Sequence, residues 1–84
     1  MKHDGRAVIR LGDKTDHGGT VLSASSGTKV IGRDAALAGD MTVCPKCKGN
    51  FPIKPDGAGA KHQGVAYAYA NDMTACGAKL IGSL

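Results

Sequence analysis

Asp40-Met41-Thr42-Val43-Cys44-Pro45-Lys46-Cys47 decides how the rest of this chain is read, because shorter versions of it stand on either side. Asp13-Lys14-Thr15-Asp16-His17 precedes it and Asp72-Met73-Thr74-Ala75-Cys76 follows it. All three run Asp, Lys or Met, Thr, a variable residue, then His or Cys, with the aspartates 27 and 32 residues apart. An acid and a hydroxyl at fixed spacing, each time leading to a side chain able to bind a metal ion, mark an internal repeat.

The repeat extends backwards. Gly5, Gly32 and Gly64 each lie eight residues before the aspartate, and Gly12, Gly39 and Asn71 stand directly before it. Gly and Asn are the residues that tolerate a left-handed backbone, so a corner is expected there. The segment before the third corner, Val65–Ala70, alternates large and small side chains with the period of a strand. After each His or Cys comes a second strand candidate: Thr20-Val21-Leu22, Phe51-Pro52-Ile53 and Lys79-Leu80-Ile81, with Gly18-Gly19, Gly49 and Gly77 supplying the turn. A helical turn at 34–38, capped by Asp34 and Gly39, is the local rival, though it is too short to stand alone. Ser23–Gly27 and Lys54–Ala60 read as surface connections. The expected fold is all-β, three strand-turn-strand repeats in one domain spanning residues 1–84.

A domain of 84 residues with one Phe, two Tyr and no Trp has little with which to fill a core, and many of its apolar residues are alanine. Domains of this size commonly need a staple. Three cysteines, an odd number with no apolar leader before them, suit thiolate metal ligation in a reducing compartment better than a disulfide framework. No apolar run approaches the roughly 18 residues that span a bilayer. The formal net charge of +4 is scattered, without a basic block or aromatic interleaving, so nucleic acid is not the first inference.

Three repeats about an axis would each bring one ligand, His17, Cys44 or Cys76, to the same end. A structural zinc site takes four tetrahedral ligands. The second repeat supplies an irregularity that meets the need, since Cys44-Pro45-Lys46-Cys47 is a Cys-x-x-Cys knuckle where the other repeats go straight to glycine. The expected set is therefore His17, Cys44, Cys47 and Cys76, one zinc per chain, with iron as the alternative metal and a redox dithiol as the alternative use of the knuckle. His62 competes for the fourth place, and His3 is a remote candidate. Lys46 and Lys48 would offset the charge of three thiolates or stand as plain surface lysines. Four protein ligands leave no position for substrate, so the metal is expected to be structural and the protein no enzyme. Asp13, Asp40 and Asp72 are expected to tighten turns by accepting backbone N–H groups.

The segments at 12–19, 39–45 and 71–78 resemble the signature segments of PAAR-repeat proteins, the small spike-tip proteins of bacterial type VI secretion systems, with relatives in contractile phage tails. The Pro-Ala-Ala-Arg tetrapeptide itself is replaced by Arg33-Asp34-Ala35-Ala36. The resemblance implies a cone of short strands with pseudo-threefold symmetry, a zinc near its point, and a base seated on a trimeric valine-glycine repeat protein G (VgrG). It also implies recruitment of effector or adaptor proteins, transient contact with a target membrane, and export from the cytoplasm with the spike. His17, Cys44 and Cys76 carry over from it; Cys47 rests on the knuckle. The strands near the termini, with Tyr67, Tyr69 and Leu84, are candidates for the surface facing the spike. A zinc-ribbon-like module binding nucleic acid or protein is the different-class alternative, to be recognised by strongly salt-dependent association.

Overall fold

Corners and short apolar runs, repeated three times, leave the chain no room for long strands. The structure, a computed structural model, describes residues 2–3, 6–55 and 59–83, with the backbone alone at Lys2 and His3. The described residues form β1 (Lys2–His3), β2 (Arg6–Ala7), β3 (Lys14–Thr15), β4 (Thr20–Val21), β5 (Lys29–Val30), β6 (Arg33–Asp34), β7 (Met41–Cys44), β8 (Gly49–Lys54), β9 (Lys61–His62), β10 (Val65–Ala66), β11 (Met73–Thr74) and β12 (Leu80–Ile81). The fold is all-β, as expected, and the rival helical turn at 34–38 does not form: Ala35 and Leu37 sit in β-bridges instead.

Each repeat contributes the same three parts. First comes a small hairpin, β1–β2, β5–β6 or β9–β10. Gly32 and Gly64 close the second and third, each behind a left-handed residue, Ile31 (φ 50°) or Gln63 (φ 50°), as two-residue hairpin turns require. Next comes a three-residue stretch, 8–10, 35–37 or 67–69, joined to its neighbours by the bridges Arg10↔Ala35, Leu37↔Tyr67 and Tyr69↔Val8. Its middle residues close a triangle: Ile9 N–H donates to the Ala68 carbonyl at 2.8 Å, Ala68 N–H to Ala36 at 3.0 Å, and Ala36 N–H to Ile9 at 2.8 Å. The third part is a strand pair, β3–β4, β7–β8 or β11–β12.

These strand pairs join into an antiparallel sheet of order β11-β8-β7-β4-β3-β12. The bridge Met73↔Lys79 and the bond from Leu80 N–H to the Asp72 carbonyl, 2.8 Å, bring its two ends together, so the sheet is a barrel-like ring. Its register sets Thr15 opposite Leu80, Thr42 opposite Val21, and Thr74 opposite Ile53. Directly opposed residues share a face of the sheet. All six are buried, so threonine and aliphatic side chains alternate around the inside of the ring. Burying a hydroxyl requires a partner: Thr15 Oγ1 accepts from Gly19 N–H at 3.0 Å, Thr42 Oγ1 donates to the Phe51 carbonyl at 2.9 Å, and Thr74 Oγ1 meets Cys76 Sγ at 3.1 Å.

The core is thin. Ile9, Ala36 and Ala68 from the triangle pack on Val21, Ile53 and Leu80 from the ring, and a second cluster of Val8, Ala35, Leu37, Tyr67 and Tyr69 lies beside them. Residues 67–69 keep the strand alternation read from the sequence, but both of their faces are covered, with Ala68 in one cluster and the tyrosines in the other. Tyr67 and Tyr69 therefore offer no contact surface, contrary to the expectation for them, and Leu84 lies outside the described residues.

The aspartates hold the corners. Gly12 (φ 86°), Gly39 (φ 87°) and Asn71 (φ 74°) are all left-handed, as expected. Around them Asp13 accepts from Arg10 N–H at 2.8 Å, Asp40 from Leu37 N–H at 2.7 Å, and Asp72 from Tyr69 N–H at 2.9 Å. The remaining carboxylate capacity is met differently in each repeat: by Ser83 and Arg33 at Asp13, by Arg6 at Asp72, and by Ser23 and the Ser25 backbone at Asp40. Arg10, in the position filled by Leu37 and Tyr69 elsewhere, is buried and donates to the carbonyls of Val30 and Ile31 and to Ser83.

Candidate metal centre

Beyond the threonines the three strand pairs turn back, and the turns differ. In the first, Thr15 N–H bonds the Gly19 carbonyl and Gly18 N–H bonds that of Thr15; in the third, Thr74 pairs with Ala78 and Gly77 with Thr74 in the same way. Gly18 (φ 79°) and Gly77 (φ 85°) take the left-handed position, and the residue two past the threonine, His17 or Cys76, is carried onto the turn. In the second repeat the strands run further, pairing Val43 with Asn50 and Cys44 with Gly49. The turn is then Pro45-Lys46-Cys47-Lys48, and the left-handed residue is Lys48 (φ 57°) rather than Gly49, which opens β8. The longer turn brings Cys47 back towards His17, Cys44 and Cys76.

His17, Cys44, Cys47 and Cys76 meet in one group, their ligand atoms all within 4.8 Å of one another. Cys44 Sγ lies 3.6 Å from His17 Nδ1, and Cys76 Sγ lies 3.9 Å from the same nitrogen. Around a tetrahedral ion with metal–sulfur bonds of about 2.3 Å and metal–nitrogen bonds of about 2.0 Å, neighbouring ligand atoms stand about 3.5–3.8 Å apart. The donor set and its spacing fit such an ion. Cys44 is buried, His17 and Cys76 half-buried, and Cys47 exposed. No disulfide joins the three cysteines.

Crowding three sulfurs has an electrostatic consequence. Cys44 beside it, then desolvation, then Cys76 push the Cys47 thiol up to about 11. Burial pushes Cys76 up as well, but hydrogen bonds from Thr74, the Ala78 backbone, Cys44 and His17 outweigh it and bring this thiol down to about 6. One sulfur is thus held as thiolate at the expense of another, and a cation at the centre would let all three ionise.

His62 is not in the group. It lies in β9, where its ring meets Tyr67 edge-on at 6.2 Å, so the competitor for the fourth place is occupied elsewhere. The side chain of His3 falls outside the described residues. Lys46 and Lys48 are exposed on the turn. In the sequence Asp16 is only the variable residue of its repeat, yet its Oδ1 stands 3.9 Å from His17 Nε2, whereas the sulfurs of Cys44 and Cys76 neighbour Nδ1. An acid directly before the one histidine among three repeat ligands is the signal that points to it.

No curated protein gives a significant match to the chain. A family model does: the PAAR motif matches residues 11–82, from the first corner to the end of the last ring strand. That match spans the three strand pairs of the ring and the His/Cys group at their turns, and the chain belongs to the PAAR-motif family.

Proposed function

We propose that this protein is the metal-stabilised piercing tip of a type VI secretion spike, a non-enzymatic module of one domain over residues 1–84. In this reading it seats as a monomer on the trimeric VgrG spike. His17, Cys44, Cys47 and Cys76 hold one structural zinc. The observation that carries the reading is the convergence of ligands from all three repeats on one group, in a chain that matches the PAAR motif over most of its length.

The physics follows from what the chain lacks. A point driven into a membrane must not fray, and the turns of the first and third repeats, at the ends of two-residue strands, are held by few hydrogen bonds. Zinc bound there would supply cross-links among the three turns. The chain's own residues do the rest: Cys44 is fixed by its pairing with Gly49, Cys76 by the Thr74 hydroxyl, and the ring of threonine and aliphatic side chains supports both. At the opposite end of each repeat the small hairpins are only two strands wide, so their outer edges can accept further strands. Three such edges in threefold arrangement suit a trimeric β-structured partner, which β-strand addition would extend. Effector or adaptor proteins would ride on the same assembly.

Metal analysis of the purified chain, followed by mixing with the trimeric spike protein of the same cell, tests the reading. One zinc per chain and one chain per trimer are expected. A folded, metal-free chain, or one that ignores the trimer, would overturn it.

A further inference from the structure

We propose that Asp16 is the positioning residue of the tip centre: it orients the His17 ring so that Nδ1 faces the thiols and Nε2 keeps the proton. This rests on the metal reading above and adds a residue to it.

Three observations carry the assignment. The sulfurs of Cys44 and Cys76 lie 3.6 and 3.9 Å from Nδ1, whereas Asp16 Oδ1 lies 3.9 Å from Nε2, so the two ring nitrogens face different partners. Asp16 is itself fixed by the third repeat. Its backbone N–H donates to the Lys79 carbonyl at 2.9 Å, and Lys79 N–H donates to Asp16 Oδ1 at 2.8 Å. Asp16 is thus held by two bonds to Lys79, one through its backbone and one through the carboxylate.

The third observation is the repeat itself. The residues equivalent to Asp16 are Val43 and Ala75, each directly before a cysteine ligand. A thiolate has one donor atom and needs no partner to choose it. An imidazole has two, and the one left free for the metal is set by what the other nitrogen bonds. The acid occurs in the one repeat whose ligand presents that choice. Its backbone work is not special to an acid, since Ala75 N–H makes the corresponding bond to the Pro52 carbonyl, 2.9 Å. The carboxylate's own bond, from Lys79 N–H, has no counterpart there, because Pro52 has no N–H to donate, and it holds Oδ1 on the His17 side of this turn.

The test compares the full chain with its Asp16→Asn and Asp16→Ala variants. Zinc affinity is measured by competition with a chromophoric chelator, and the metal-bound ring nitrogen is identified by 15N NMR of the loaded protein. The expected result is Nδ1 ligation in the parent chain and an affinity about 10–100-fold weaker in Asp16→Ala. Asp16→Asn keeps an acceptor for Lys79 N–H and the ring, so it should fold as the parent does and fall between the two. Ligation through Nε2 in the parent, or an affinity within about twofold in both folded variants, overturns the assignment while leaving the metal site intact. Absence of zinc from the parent chain overturns the metal reading and this assignment with it.

Discussion

The ring and the tip of this molecule are built from the same three repeats and solve opposite problems. In the ring and the triangle below it, each repeat does what its neighbours do: the Ile9, Ala36 and Ala68 bonds close on one another, and Asp13, Asp40 and Asp72 each hold the corner before them. At the tip the repeats diverge, with a histidine in one, a two-cysteine knuckle in the next, and a lone cysteine in the third. Threefold repetition satisfies a threefold set of backbone groups, but a tetrahedral ion takes four ligands. In the reading proposed above, the irregular turn from Cys44 to Gly49 reconciles the two, since it adds Cys47 to the group.

If the tip relies on metal and the ring on its own bonds, removing the metal should produce the largest effect. Structural zinc contributes on the order of 10 kcal/mol or more in small domains, comparable with the whole stability of an ordinary one, about 5–15 kcal/mol. Chelation, or Cys44→Ala at the buried member of the group, is expected to lower the melting temperature seen by circular dichroism more than any other change. A melting temperature unchanged after verified metal loss would show that the ring carries the tip unaided.

Next in size is the packing of the triangle, where one isoleucine stands with two alanines. Ile9→Ala should cost about 2–5 kcal/mol through the cavity it leaves, and Ala36→Ile about 1–3 kcal/mol through overpacking. Because the two positions are related by the repeat, the double variant restores the volume of the layer and should cost less than the sum of the singles. Urea unfolding of the metal-loaded proteins measures this, and strict additivity would show that the layer is not threefold in its packing. Smaller again is Asp40→Ala, about 1–3 kcal/mol for a buried Leu37 N–H left without its acceptor. That variant should still bind one zinc per chain, because the corner lies outside the tip.

The repeat is legible in the sequence because the residues that enforce it are chemically narrow. Left-handed corners demand Gly or Asn, and buried turn carboxylates demand Asp, so Gly12, Gly39, Asn71 and the aspartates announce the corners by residue type alone. The four side chains that meet in one group, His17, Cys44, Cys47 and Cys76, are legible for the same reason. What stays hidden is decided by neighbours distant in the chain. Thr15, Thr42 and Thr74 resemble turn residues, and only the register against Leu80, Val21 and Ile53 shows them lining a ring. Tyr67 and Tyr69 look available as a contact face because nothing local announces that both sides of residues 67–69 are covered. Gly49 looks like the turn glycine, but the longer β7–β8 pairing moves the left-handed position to Lys48. Asp16 does not stand out because its partner strand, at Lys79, arrives from the far end of the chain.

The subtlest effect separates two cysteines of the group, Cys76 and Cys47, and is read in protons. Without metal, Cys76 is already a thiolate at any pH above about 6, whereas Cys47 keeps its proton up to about 11. Metal binding to the folded chain at pH 8 is therefore expected to displace a proton from Cys47 and few from Cys76. Calorimetric titration with zinc in buffers of different ionisation heat counts the protons, and Cys47→Ala should release about one fewer than the parent chain. As the pH falls through about 6, Cys76 takes up a proton too, so affinity should drop more steeply below that point than above it. Cys47→Ala should keep zinc more weakly on the remaining three ligands. Equal proton release from the two proteins would mean that Cys47 stays protonated and outside the coordination sphere, leaving the tip with one ligand from each repeat and the threefold pattern unbroken.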